Sequence, residues 1–162
     1  MIMNITIRPA VREDTATILE FIRSLAQYEK LSHEVLATED HLKKTLFGDH
    51  PYAEVLLGFE LDTPVAFCLF FHNYSTFLGR PGIWLEDLYV HEAWRGKGYG
   101  KAMLSRLAQI AVERDCGRLE WSVLDWNTPA IRFYKALGAV AMDDWTTFRL
   151  TGPALLNTAV GN

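Results

Sequence analysis

Cysteine is scarce: Cys68 and Cys116 are the only two in 162 residues, and neither stands in a CxxC or CxxH spacing. That argues against a disulfide framework and leaves reduced structural thiols as the expectation. His33, His41, His50 and His72 share no ligand spacing with one another or with cysteine, so no metal is expected. Long hydrophobic runs are missing too. The longest, Val65 to Phe71, is too short to span a bilayer, and the N-terminus lacks the basic-then-apolar pattern of a signal peptide. No membrane partner and a cytoplasmic location are therefore expected. There is no excess of positive charge: 16 Lys plus Arg face 20 Asp plus Glu, a net charge of −4. That excludes a broad electrostatic grip on nucleic acid and leaves a cationic substrate acceptable. With no repeat or low-complexity linker, one domain is expected over 1–162, with about 151–162 a weakly ordered tail or a surface helix.

What is present alternates between two periods. Ile5 to Arg8 reads as a short strand. A helical pattern then starts near Arg12 and runs to about Tyr28, with Ile18, Ile22 and Leu25 at i, i+4 and i+7. A second helix is predicted from Thr38 to Gly48. Ala53 to Leu61 and Val65 to His72 are rich in β-branched and aromatic residues and predict a hairpin around Asp62-Thr63-Pro64. A third strand, Ile83 to Val90, carries Glu86 and Asp87 side by side and leads into a helix from Tyr99 to about Asp115. Arg118 to Leu124 reads as a strand. Asn127-Thr128-Pro129 then starts a helix that Gly138 ends. Ala139 to Met142 and Trp145 to Leu150 read as two closing strands. This order predicts an α/β (α+β) fold, a mixed twisted sheet with helices on both faces.

The chemistry concentrates between the third strand and the following helix, in Arg95-Gly96-Lys97-Gly98-Tyr99-Gly100-Lys101. Three alternating glycines without Cβ atoms allow consecutive amides to converge on one anion, and the helix N-terminus adds a favourable dipole. A phosphate is the natural guest, with Arg95 and Lys97 supplying charge at the rim. A dinucleotide GxGxxG does not fit, because that motif follows the first strand of a βαβ unit, and no Walker GxxxxGK[ST] is present. Glu86 and Asp87, as neighbours on a regular strand, would point to opposite faces, so one alone reaches a cleft unless the strand twists both towards it.

Arg95 to Gly100 resembles the R/Q-x-x-G-x-G/A pyrophosphate motif of the GNAT acetyltransferase superfamily, and the order of elements is similar over nearly the whole chain. Leu85 to Val90, Asp125 to Pro129, Phe133-Tyr134-Lys135, Tyr28-Glu29, Trp145 and Phe148 resemble the spermidine/spermine (diamine) and thialysine N-acetyltransferase branch.

The resemblance implies acetyl-CoA as cofactor, held by Leu88, Tyr89, Val90, residues 95 to 101, Asn127 and Tyr134. It implies amides near Leu88 and Val90 that polarise the thioester carbonyl. Attack by a neutral amine needs one proton removed from the ammonium and one delivered to the thiolate. By resemblance Glu86 is the base, through water, and Tyr134 the acid. Asp87, Glu29, Tyr28, Trp84 and Trp145 are then the substrate-binding residues, and the acceptor is a diamine, polyamine or lysine-like amine. A peptide acceptor or a noncatalytic acyl-CoA-binding module are the alternatives. A homodimer is implied by the same similarity.

Overall fold

The computed structural model describes residues 5–161. They form β1 (Thr6–Pro9), α1 (Thr15–Tyr28), α2 (Glu39–Leu46), β2 (Glu54–Glu60), β3 (Thr63–Ser75), β4 (Arg80–Val90), α3 (Tyr99–Glu113), β5 (Leu119–Trp121), α4 (Thr128–Ala136) and α5 (Gly152–Ala159). The chain divides into two compact units, one ending at Ser122 and the other beginning at Val123.

In the first unit the five strands form one sheet in chain order. Neighbours from β1 to β4 are antiparallel, and β4 pairs with β5 in parallel, which makes the sheet mixed. Side-chain parity along β3 sorts the helices. Phe67 is paired with Leu57 and Tyr89, and all three pack with Ile18, Phe21 and Leu25 of α1 and Leu42 and Leu46 of α2. The Phe21 ring stacks on Phe67 at 5.2 Å. The alternate residues face α3: a Cβ on Gly58, paired with Ala66, would stand 3.1 Å from Met103 Sδ. Helices thus cover both faces, as the sequence order predicts.

The β2–β3 turn is Leu61–Asp62, one step earlier than predicted, with Glu60 opposite Thr63. Leu61 takes the left-handed conformation (φ 54°). Pro64 lies inside β3 opposite Phe59, beside a register shift at Gly58/Phe59, where a missing amide donor is tolerated. Thr38 caps α2, its side chain accepting from the His41 amide, so the helix begins one residue later than predicted.

The second unit holds α4 and α5. Asn127 caps α4 by accepting from the Ala130 amide at 3.4 Å, and Pro129 lies in the first turn. Gly138, at φ 87°, follows the helix end, where the Ala139 amide donates to Tyr134 O. Two expectations are corrected. Among the described residues, 139–142 and 145–150 form no strand, and the strand predicted over Arg118 to Leu124 is reduced to Leu119–Trp121. A strand is stabilised by its ladder, and pairing with β4 ends at Leu85↔Trp121. Val140, Met142, Trp145 and Phe148, which suggested β structure by residue type, are instead exposed.

Candidate active site

The site begins with an irregularity in β4. Leu69 pairs with Asp87 and Phe70 with Leu85, which leaves Glu86 without an opposite residue in β3. This is a β-bulge, and it reverses the phase of everything after it. Before the bulge Trp84 is paired with Phe71, and after it Asp87 and Tyr89 are paired with Leu69 and Phe67, so all three lie on the α1 face. Glu86 joins them there, because its Oε2 accepts a hydrogen bond from Trp84 Nε1 at 2.9 Å. The bulge, rather than a general twist, brings both carboxylates to one side.

The same inserted residue re-aims the backbone. The Ile83 amide donates to Arg118 O, towards β5. Counting onward in steps of two, with one residue added, brings the amides of Leu88 and Val90 to that same edge. There β4 outruns its neighbour, since β5 pairs only with Ile83, Trp84 and Leu85. Leu88 and Val90 therefore present amide donors along an edge that β5 does not pair.

Burial raises the pKa of two carboxyls. Asp87 is pushed up to about 7, first by desolvation and then by the charges of Glu86 and Glu29. Glu29, which follows α1, is raised by desolvation. Three acidic side chains from the end of α1 and the bulge of β4 thus form one electrostatic group. Tyr28 is half-buried beside it in sequence.

At the other end of β4, Gly96 and Gly98 are both left-handed, at φ 79° and 84°. A side chain there costs roughly 1–2 kcal/mol, which is the physical reason for glycine. Around Gly96 the space a Cβ would occupy is open. The Ala102 amide makes the first α3 bond, to Gly98 O, so the amides of residues 99 to 101 stand ahead of the helical ladder. Buried Tyr99 anchors this end of α3 in the core. An open surface of amides with positive local potential fits a diphosphate.

Both cations of the loop have protein partners. Arg95 Nε donates to Val90 O at 3.1 Å, and its guanidinium lies over the Tyr28 and Tyr89 rings. Lys97 Nζ pairs with Glu60 at 3.3 Å and sits 4.2 Å from the Trp94 ring centre. Glu60 and Trp94 were not among the predicted site residues; Glu60 lies 37 positions from Lys97, so no local pattern exposes that contact. In the second unit, Asn127 caps α4 and Tyr134 lies on it, where the Phe133 and Tyr134 rings are 5.4 Å apart, and Trp145 is 76% exposed. Among the described residues no group of three His, Cys, Asp or Glu could hold a metal ion, and no helix is long and apolar enough to cross a membrane.

A strand whose amides at Leu88 and Val90 face an unpaired edge, followed by a glycine loop at a helix N-terminus, is the arrangement that the sequence resemblance implies. A family model, the Acetyltransferase (GNAT) family, matches residues 16–139. The chain belongs to the GNAT acetyltransferase family. The acetyltransferase is 38% identical to thialysine N-epsilon-acetyltransferase of Bos taurus over 96% of this chain and 97% of the relative. It is 33% identical to L-ornithine N5-acetyltransferase of Arabidopsis thaliana over 92% and 85%. Among solved structures, an integron cassette protein of V. cholerae superposes with a TM-score of 0.81 at 25% identity, covering 97% and 98%. These relatives place the acetyltransferase in the thialysine and diamine branch, as an enzyme that transfers acetyl groups to amines. Acetyltransferases of this family use acetyl-CoA.

Proposed function

We propose that this acetyltransferase takes its acetyl group from acetyl-CoA and delivers it to a primary amine of a small cation, a diamine, polyamine or lysine-like amine. When bound, acetyl-CoA supplies a thioester carbonyl as the electrophile. The observation that carries the proposal is the group Glu29, Glu86 and Asp87: the bulge brings the two β4 carboxylates to the α1 face, and Glu29 at the end of α1 acts electrostatically on Asp87. Three clustered carboxylates are costly to desolvate and match an acceptor with more than one positive charge.

The amides of residues 96 to 101 hold the pyrophosphate. Those of Leu88 and Val90 stabilise the negative charge that develops on the carbonyl oxygen. Glu86, oriented by Trp84, takes a proton from the acceptor ammonium through water. Asp87 and Glu29 hold the far cationic end. Tyr28 and Trp84 line the aliphatic part, and Trp145 is assigned to it by sequence resemblance alone. For contact with the cofactor chain and protonation of the departing thiolate we assign Asn127 and Tyr134; the support is the resemblance of residues 125 to 129 and 133 to 135. The thialysine and ornithine acetyltransferase relatives favour a lysine-like acceptor. A homodimer in the cytoplasm belongs to the same proposal, by similarity alone.

A coenzyme-release assay against putrescine, spermidine, thialysine, ornithine and a peptide tests it. Turnover with the small amines is expected, and turnover with peptide alone would overturn it. Tyr134→Phe is expected to lower kcat by about 10²-fold, the scale of one positioned acid.

A further inference from the structure

We propose that the Arg95 side chain is a positioning group that joins the pyrophosphate loop to the acceptor end of α1, and is not itself a ligand of the pyrophosphate. The inference rests on residues 96 to 101 as cofactor cradle and on Tyr28 and Glu29 as acceptor residues. Three contacts hold the guanidinium. Nε donates to Val90 O at 3.1 Å, and the carbon of the guanidinium lies 4.6 Å from the Tyr28 centroid and 5.4 Å from that of Tyr89. Tyr89 is itself fixed: it is buried, and its ring meets Phe21 of α1 edge-on at 6.3 Å.

The guanidinium lays a flat face on the Tyr28 ring and aims an Nε–H in its own plane at the Val90 carbonyl; lysine has no planar face to lay there, and its one nitrogen must serve both contacts. The backbone of Arg95 adjoins the glycine loop, whereas its side chain ends on Tyr28. Glu29, the next residue, acts electrostatically on Asp87. Any adjustment of the loop when the cradle fills is therefore passed to Tyr28 and Glu29, and amine binding acts back on the loop to the same extent, since linkage is reciprocal. Val90 O is drawn towards Arg95 by the same contact, which steadies the last β4 residue, whose amide lies on the edge that β5 leaves unpaired.

The test compares Arg95→Lys, Tyr28→Leu and the double variant. Calorimetry would give the coenzyme A Kd at two ionic strengths, and steady-state kinetics the amine KM and kcat at saturating acetyl-CoA. For Arg95→Lys the amine KM is expected to rise about three- to tenfold while the coenzyme A Kd stays within about twofold, from loss of a cation–π contact. The double variant should be no worse than the more affected single one, because both remove one interaction. A coenzyme A Kd that rises in a salt-dependent way with an unchanged amine KM would make Arg95 a phosphate ligand and overturn the inference. Additive effects of the two substitutions would overturn it as well, as would a lowered melting temperature with no separation of KM from kcat. If the unaltered enzyme acetylates no amine, the proposed function fails; if it does and Arg95→Lys leaves amine KM unchanged, only the inference fails.

Discussion

Trp84 donates its indole N–H to the Glu86 carboxylate at 2.9 Å, across the bulge that brings Glu86 to the face occupied by Asp87. The contact fixes the side chain proposed as proton acceptor, and its removal has a defined consequence. Trp84→Phe keeps an aromatic ring and deletes the donor. A fall in kcat of about three- to tenfold is expected, with little change in coenzyme A affinity, because a hydrogen bond to an exposed charged group is of modest net strength. Steady-state kinetics with a calorimetric Kd checks it; an unchanged kcat would detach Trp84 from Glu86 function.

Asp87 governs the pH dependence. Its carboxyl is raised from 3.8 to about 7 by burial and by Glu86 and Glu29. The folded chain then holds a proton that the unfolded chain has released, so stability falls as pH rises between these values and is flat above them. Asp87→Asn should therefore stabilise the protein at about pH 8, by on the order of 2–4 kcal/mol, and have little effect at about pH 4. Denaturant unfolding at both values decides it, and equal effects at the two would refute the assignment. The same titration predicts that the amine KM rises as pH drops below about 7, a trend the Asn variant should lack.

The left-handed glycines make the cradle sensitive to a single methyl group. Gly98→Ala forces an L-residue to φ 84° at the α3 N-cap, a cost of roughly 1–2 kcal/mol in strain or relaxation. The coenzyme A Kd should rise about fivefold or more as the amides lose alignment, with the helical circular dichroism signal preserved. Unaltered affinity would show that loop geometry does not bind the pyrophosphate.

Far from the site, Arg114 at the end of α3 grips Glu54 of β2 with two hydrogen bonds of 2.6 and 2.9 Å. The pair holds the Glu54 carboxyl below its ordinary range, chiefly through that hydrogen bond. Its contribution is present above the unfolded value of 4.5 and is lost as pH falls through the lower folded one. Both side chains are more than a third exposed, so Glu54→Gln should cost only roughly 0.5–1 kcal/mol near neutrality, less in high salt, and leave kcat intact. Melting curves across pH and salt provide the measurement.

Much of the site was legible in the residues. The Gly96-Lys97-Gly98-Tyr99-Gly100 spacing announces a loop whose amides converge, because glycine alone adopts those backbone angles cheaply. The Asn127 cap and the periodicity of α1 and α3 are equally local. The placement of Glu86 and Asp87 was not legible. Strand alternation sends neighbours to opposite faces, and the exception depends on how β3 is paired, with Leu69 and Phe70 straddling the extra residue. Nor does a motif show that the Arg95 guanidinium ends on Tyr28, 67 residues earlier in the chain. Residues 139 to 150 erred in the other direction: their residue types favour strands, but a strand forms only where an edge receives it.

Short-range chemistry, then, was set by the chain itself: which stretches become helices, where they are capped, and where a diphosphate can meet bare peptide nitrogen. Those features depend on torsional freedom and on bonds spanning a few residues. Register, the bulge, the early end of β5 pairing at Leu85 and the partners of Arg95 and Lys97 came only with tertiary structure. They join residues dozens of positions apart, and packing against a shared core determines which of those distant pairs are realised.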